Sequence, residues 1–238
     1  MLLVSCGGPR VIKQPEPFKP EQILAELRSE HVDVFLDWIV VSGAAGSWAK
    51  NAVWDEYLLR VENHHHDAIV IMWVRAFDSK NTELRPSSER EVLVKESRQT
   101  AKRYKKDGVK VTAGAGSDGL LLTGSLAAAS APYMAMGAVS SGSTAAATGA
   151  LAMIAVAPVL LVGGVVVTVN NNKVEKELKR RHSMLPRHLE PGQTGHLDLF
   201  FPLVPSPQRI DLNYRLDGVG HTVTVDFAGS LDGLHIEN

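Results

Sequence analysis

The longest uncharged stretch of the chain covers residues 119–172, which contain no Asp, Glu, Lys, Arg or His. Basic residues stand on both sides of it, including Lys106 and Lys110 before it and Lys173 and Arg180 after it. A helix that lies on the surface of a soluble domain needs a polar face, and this stretch offers only scattered Ser and Thr. We therefore expect the stretch to be covered either by lipid or by protein.

The second half of the stretch, residues 145–169, is the more apolar one. As a helix it would be roughly 35 Å long, which is enough to cross a hydrocarbon core of about 30 Å. Residues 140–144 are small and favour a turn, so we predict two helices joined there. The side chains expected in the membrane are Leu120, Leu121, Leu122, Leu151, Ile154, Val156, Leu160, Leu161 and Val165.

Small residues in the first half recur at four-residue spacing and would allow the two helices to approach closely. These helix-packing positions are Gly124, Ala127, Ala128, Ala131 and Ala135. A transmembrane helical hairpin would place both basic flanks on one side of the membrane, near anionic head groups. The alternative is a hairpin buried in the core of a soluble protein, including a state that hides the hairpin until it is needed.

Alternating apolar residues before and after the stretch predict β-strands. Tyr57, Leu59 and Val61 alternate with polar residues in the first part, and residues 210–216 do so in the second. Asp217-Gly218 predicts a two-residue hairpin turn. Because neither part has enough strands for a core of its own, we predict one antiparallel β-sandwich of α+β class, interrupted by the inserted hydrophobic helical hairpin.

The run from Tyr57 to Asn63, followed by a turn and an apolar strand, resembles an immunoglobulin-like domain of bacterial envelope proteins. The resemblance implies an immunoglobulin-like β-sandwich. The predicted organisation is a signal remnant, lipidation site and Pro-rich tether (1–30), the first half of the sandwich (31–86), a charged connector (87–118), the hairpin (119–172), a basic amphipathic helix (173–190) and the second half of the sandwich (191–238).

The single cysteine, Cys6, follows Leu3, Val4 and Ser5. This order resembles the lipobox of bacterial lipoproteins, and the resemblance implies that Cys6 carries lipid at the mature N-terminus. Gly7 after it is compatible with sorting to the outer membrane in that family. We therefore expect a protein of the bacterial cell envelope, anchored in the outer membrane and facing the periplasm. The short segment before Cys6 has no basic region and almost no apolar region, which departs from the pattern of that family.

Motifs that would indicate chemistry are weak. Gly114, Gly116 and Gly119 match a dinucleotide-binding pattern, but no acidic residue follows about twenty positions later, so we interpret the glycines as a hinge. His64, His65 and His66 with Asp67 could bind a metal. Three consecutive histidines cannot all face one ion from an extended strand, so we interpret them as exposed loop residues. We predict no catalytic residue, no cofactor and no metal site.

The net charge is −1, so the composition indicates no nucleic-acid partner. The function we predict is a membrane-anchored, non-enzymatic envelope lipoprotein that binds or scaffolds through its β-sandwich. Its predicted partners are the lipid bilayer and other envelope proteins or further copies of itself. The alternative is a membrane-active protein whose Ala/Gly-rich hairpin forms pores or perturbs the bilayer.

Overall fold

The structure, a computed structural model, describes residues 12, 23–43, 46–49, 51–116 and 164–237, without the side chains of 164–171. Its strands are β1 (Ala25–Arg28), β2 (Val32–Val40), β3 (Trp54–Asn63), β4 (Ile69–Phe77), β5 (Glu83–Leu84), β6 (Lys110–Val111), β7 (Arg187–Leu189), β8 (Thr194–Pro202), β9 (Arg209–Leu216), β10 (Val219–Asp226) and β11 (Ile236–Glu237). Its helices are α1 (Arg90–Lys105) and α2 (Gly164–Arg181).

Two larger antiparallel sheets are built from strands on both sides of the long uncharged stretch. The first has the order β1-β2-β3-β8 and the second β10-β9-β4-β5, with β7 also paired to β4. β3 pairs with β8 from Trp54 with Pro202 to Glu62 with Thr194. β4 pairs with β9 along its length. A third, two-stranded sheet joins β11 to β6.

One apolar core lies between the two larger sheets. Leu36 and Leu59 come from the first sheet, Ile71 and Leu212 from the second, and none of the four is more than 1 % exposed. The period-two alternation of apolar residues places one face of each strand in this core. Asp217 and Gly218 have positive φ and form the two-residue turn between β9 and β10, as the Asp-Gly pair predicts.

Both helices pack on the outer face of the first sheet. Phe200 points away from the core of the sandwich and joins a second cluster with Trp54, Leu93 and Leu178. The Ser97 hydroxyl donates to the Val53 carbonyl at 2.5 Å and accepts the Leu203 N–H at 3.0 Å, which ties α1 to the sheet. The helices therefore shield one face of a sheet that the core alone would leave open.

The predicted fold class is wrong. The described residues form mostly antiparallel strands with two short helices, and neither helix is long and apolar enough to cross a membrane. This finding overturns the transmembrane helix, the inserted hairpin and the fold built around them. Apolar composition alone does not determine what covers a helix, and the part of α2 with described side chains packs against protein through Val174 and Leu178.

Most residues assigned to the hairpin lie outside the described residues. These are Leu120, Leu121, Leu122, Gly124, Ala127, Ala128, Ala131, Ala135, Leu151, Ile154, Val156, Leu160 and Leu161. Val165 is in the first turn of α2. The predicted boundary between residues 172 and 173 falls inside this helix, which continues without a break to Arg181.

Candidate functional site

Two surfaces of the sandwich bring together side chains that could bind a ligand. The first, which we call the histidine-rich end, comprises His31, His64, His65, His66 and His221 with Asp33, Glu62 and Asp67. The second, the β4 groove, is a cleft of about 520 Å³ beside the edge of β4. Cys6, the predicted lipidation site, lies outside the described residues.

The histidine-rich end is built on a turn that one buried side chain holds in place. Asn63, at the end of β3, is 1 % exposed. Its amide nitrogen lies 3.0 Å from the Asp67 carbonyl and 3.2 Å from the Leu189 carbonyl, and its Oδ1 accepts the His65 N–H at 2.9 Å. The His64 N–H donates to the His31 carbonyl at 2.9 Å. The turn between β3 and β4 is therefore fixed by hydrogen bonds at several points.

The three consecutive histidines divide into two groups. His64 turns toward β2, where its Nε2 lies 3.0 Å from Oδ2 of Asp33, and Glu62 completes this group. His65 and His66 lie on the other side with ring centroids 4.0 Å apart, and both face Asp67. Each group places three possible ligand atoms within 4.8 Å of one another.

His31 and His221 connect the histidine-rich end across the two sheets. The His31 ring contacts the His65 ring edge-on with centroids 5.0 Å apart and the His221 ring with centroids 5.7 Å apart. His221, on β10, stacks on Tyr214 of β9. Burial raises the pKa of the Tyr214 hydroxyl, and the nearby Glu30 carboxylate contributes in the same direction. The aromatic contacts therefore join residues of both sheets into one surface.

The β4 groove lies where no described strand pairs with the outer edge of β4. On that edge β7 pairs with Ile69–Ile71 and β5 pairs with Ala76–Phe77, so Met72 to Arg75 form an open interval between them. A register shift between Ile71 and Trp73 makes Met72 an extra residue opposite β9. Such bulges redirect side chains and are frequent beside binding sites.

Both apolar and charged residues line the groove. The lining includes Met72, Trp73, Val74, Arg75, Arg85, His182, Met184 and Leu185. Met184 is 74 % exposed. Arg75 and Arg85 both bind Glu83, each at 2.8 Å. The hydrogen bond from Arg85 is the main cause that lowers the pKa of the Glu83 carboxyl, with a further contribution from Arg75.

A buried histidine and aspartate occupy the opposite end of the sandwich. Nε2 of His235 lies 2.7 Å from Oδ2 of Asp55, and both side chains are fully buried. The Gly114 N–H donates to Nδ1 of His235 at 3.0 Å, so the hydrogen of a neutral ring is on Nε2 and points at Asp55. This pair fastens the residue before β11 to β3, and the hydrogen bond from Gly114 fastens the same ring to the loop after β6.

Two glycines of the dinucleotide-like pattern, Gly114 and Gly116, are needed for packing. Gly114 and Gly116 have φ of 77° and 72°. A Cβ on Gly114 would lie 2.6 Å from the Ser42 carbonyl oxygen, and one on Gly116 would lie 2.3 Å from that of Gly233. Close approach of backbone to backbone therefore explains Gly114 and Gly116. Gly119 lies outside the described residues, and the predicted hinge stays a prediction.

Comparison with known proteins identified no relative. A scan of the sequence against protein-family models found no match, and searches of curated proteins and of solved structures found none either.

Proposed function

We propose that this protein is a non-enzymatic lipoprotein of the bacterial envelope whose β-sandwich binds an extended segment of another envelope protein in the β4 groove. Lipid on Cys6 would hold the sandwich at the periplasmic face of the outer membrane. The observation that carries the proposal is the open interval of β4, where four consecutive residues at a sheet edge line a groove of about 520 Å³.

The shape of the interval suits an extended polypeptide. At ~3.4 Å per residue, the four residues offer about 14 Å of strand edge. Addition of a strand to an exposed edge provides affinity through backbone hydrogen bonds, while side-chain pockets provide selectivity. β7 and β5 pair with β4 on either side of the interval, so they define where such a segment begins and ends.

The chemistry of the lining favours apolar side chains on the bound segment. Met72 and Met184 supply flexible thioether side chains that adapt to different partners. The guanidinium of Arg75 stacks on Trp73 at 4.0 Å from the ring centroid, which keeps the aromatic face and the cation together. Because Glu83 binds both Arg75 and Arg85, backbone pairing and apolar contact would contribute more than net charge.

The alternative function, perturbation of a bilayer by an inserted hairpin, is not retained. It depended on the transmembrane helices that the described structure contradicts. Anchoring through Cys6 does not depend on them. Since one acyl chain binds a membrane weakly, the proposal requires more than one acyl chain at the N-terminus.

Site-specific photo-crosslinking in the native host tests the groove. A photoreactive amino acid at Met184 reports on the groove, and the same residue at the exposed Gln99 of α1 is the matched control. We expect a discrete adduct from position 184 that is absent from position 99. Ser88→Trp, which fills part of the groove, should reduce the adduct. Equal labelling from both positions, or no effect of Ser88→Trp in a folded protein, would contradict the proposal.

Metabolic labelling with an alkyne fatty acid tests the lipid. The chain expressed from its own genomic locus should incorporate the label and sediment with membranes. Cys6→Ser should abolish the labelling. Labelling that persists in Cys6→Ser, or an unlabelled wild-type protein, would refute the assignment of Cys6 without affecting the groove.

A further inference from the structure

We infer that His65, His66 and Asp67 form a binding site for one divalent transition-metal ion, with Zn²⁺ as the reference ion. This site lies on a different surface from the β4 groove, so it goes beyond the proposed function. It can be tested on the purified protein without a partner. It reverses the interpretation of these histidines as loop residues without a ligand.

The ligand atoms are already spaced as a metal requires. Nε2 of His66 lies 2.9 Å and Nδ1 of His65 lies 3.5 Å from Oδ2 of Asp67. Zinc binds imidazole nitrogen and carboxylate oxygen at about 2.0–2.2 Å, which places neighbouring tetrahedral ligands about 3.3 Å apart. The two observed distances lie on either side of that value, so an ion can enter with small side-chain movements.

The turn that carries these ligands is held rigidly before any metal binds. Asn63 fixes both ends of the turn through the Asp67 carbonyl and the His65 N–H. The Asp67 N–H also donates to Nδ1 of His65 at 3.1 Å, and a metal at Nδ1 would replace this hydrogen bond. Because binding sites on locked backbones lose little entropy when a ligand arrives, the turn favours a stable complex.

The chemical nature of the ligand atoms determines which cations the site can bind. Two imidazoles and one carboxylate suit Zn²⁺, Ni²⁺ or Cu²⁺, whereas Mg²⁺ and Ca²⁺ prefer oxygen ligands. Three protein ligands leave one tetrahedral position for water. His66 is 82 % exposed on its side chain, so the ion can enter from solvent.

The neighbouring group of His64, Asp33 and Glu62 is less suited to a cation. Arg60 binds Glu62 and also lies 3.3 Å from Asp37, so a positive charge already occupies this side of the surface. Asp33 accepts the Ser29 N–H at 3.3 Å through its other carboxylate oxygen. The metal is therefore assigned to the group of His65, His66 and Asp67.

Calorimetric titration tests the site on the full chain, purified without a polyhistidine tag and treated with a chelator. We expect one Zn²⁺ per chain, undisturbed by excess Mg²⁺. His66→Gln should weaken binding by at least about tenfold, because removal of a ligand should cost at least as much as removal of a group that only orients a ligand. His188→Gln removes an exposed histidine outside the cluster and should leave binding unchanged.

Replacement of Zn²⁺ by Co²⁺ independently tests the coordination geometry, because Co²⁺ in a tetrahedral site with nitrogen ligands absorbs strongly in the visible region. The band should appear with wild type and with His188→Gln, and it should be lost in the double variant His65→Gln/His66→Gln. Unchanged circular dichroism of the double variant would show that the loss is not unfolding. Absence of stoichiometric binding by wild type overturns the inference, as does any stoichiometric Zn²⁺ binding that survives the double variant. Loss of such surviving binding in His64→Gln would assign the ion to the neighbouring group of His64, Asp33 and Glu62.

Discussion

Replacement of Asn63 by Ala should destabilise the protein far more than a typical Asn→Ala change. The side chain is 1 % exposed and lies within hydrogen-bond distance of three carbonyls and one N–H. An amide has two N–H donors, so Asn63→Ala removes about three hydrogen bonds at one time. At a net value of about 1 kcal/mol each, the expected loss is about 3 kcal/mol in the free energy of unfolding.

Urea unfolding followed by circular dichroism measures this loss. For an m-value of about 2 kcal/mol/M, the midpoint should fall by about 1.5 M without a change in m. Asn213→Ala is the matched control. Asn213 donates to the His221 carbonyl and to Thr222 but is partly exposed, so water replaces its partners and the loss should stay under about 1 kcal/mol.

The variant Asn63→Asp distinguishes the contribution of the Asn63 N–H donors to stability from that of its amide oxygen. It keeps an oxygen for the His65 N–H and sets a carboxylate against the carbonyls of Asp67 and Leu189. We expect a loss at least as large as that of Asn63→Ala. If Asn63→Ala shifts the midpoint no further than Asn213→Ala, the argument that this amide organises the turn is wrong.

Three further predictions concern the buried pair and α2. His235→Ala should cost about 3–5 kcal/mol because it leaves Asp55 buried without its donor, and the double variant with Asp55→Ala should cost less than the sum of the two single losses in urea unfolding. Hydrogen bonds from Arg180 and Arg181 lower the pKa of Glu177 from 4.5 to about 2. Glu177→Gln should therefore reduce stability above pH 4.5, and the difference should disappear as the pH falls toward 2. Leu178→Ala should cost about 2–5 kcal/mol in the same assay, whereas Met184→Ala, at a 74 % exposed position, should be nearly neutral.

Local sequence patterns predicted local structure well. The alternation along residues 210–216 and the Asp217-Gly218 turn correspond to β9, β10 and their hairpin. Such features depend on neighbouring residues in one strand or turn, so periodicity and turn chemistry are sufficient. The pairing of β3 with β8 joins distant segments, and no local pattern specifies it.

The interpretation of the uncharged stretch failed for a different reason. Hydropathy measures the preference of a segment for a non-aqueous environment and does not distinguish lipid from protein. The predicted boundary after Asn172 followed the change in charge, whereas α2 runs through it from Gly164 to Arg181. Helical hydrogen bonds join backbone groups and form whether or not the side chains are charged. The change in composition therefore predicted a boundary that the backbone of α2 does not show.

Neither candidate surface could have been assembled from the sequence. The β4 groove combines Met72 to Arg75 with residues near Arg85 and near Met184. The buried partner of Asp55 is 180 positions away at His235. The three histidines were visible as a motif, but their division between Asp33 and Asp67 depends on the turn geometry that Asn63 imposes.

The interleaving of the two halves has a consequence for synthesis on the ribosome. β3 emerges long before its partner β8, and β4 emerges long before its partner β9. Until the last quarter of the chain has been made, apolar strand edges remain available for pairing with other chains, a state that promotes aggregation. A chaperone acting on the nascent chain would protect this interval, and slow translation between the halves would prolong it.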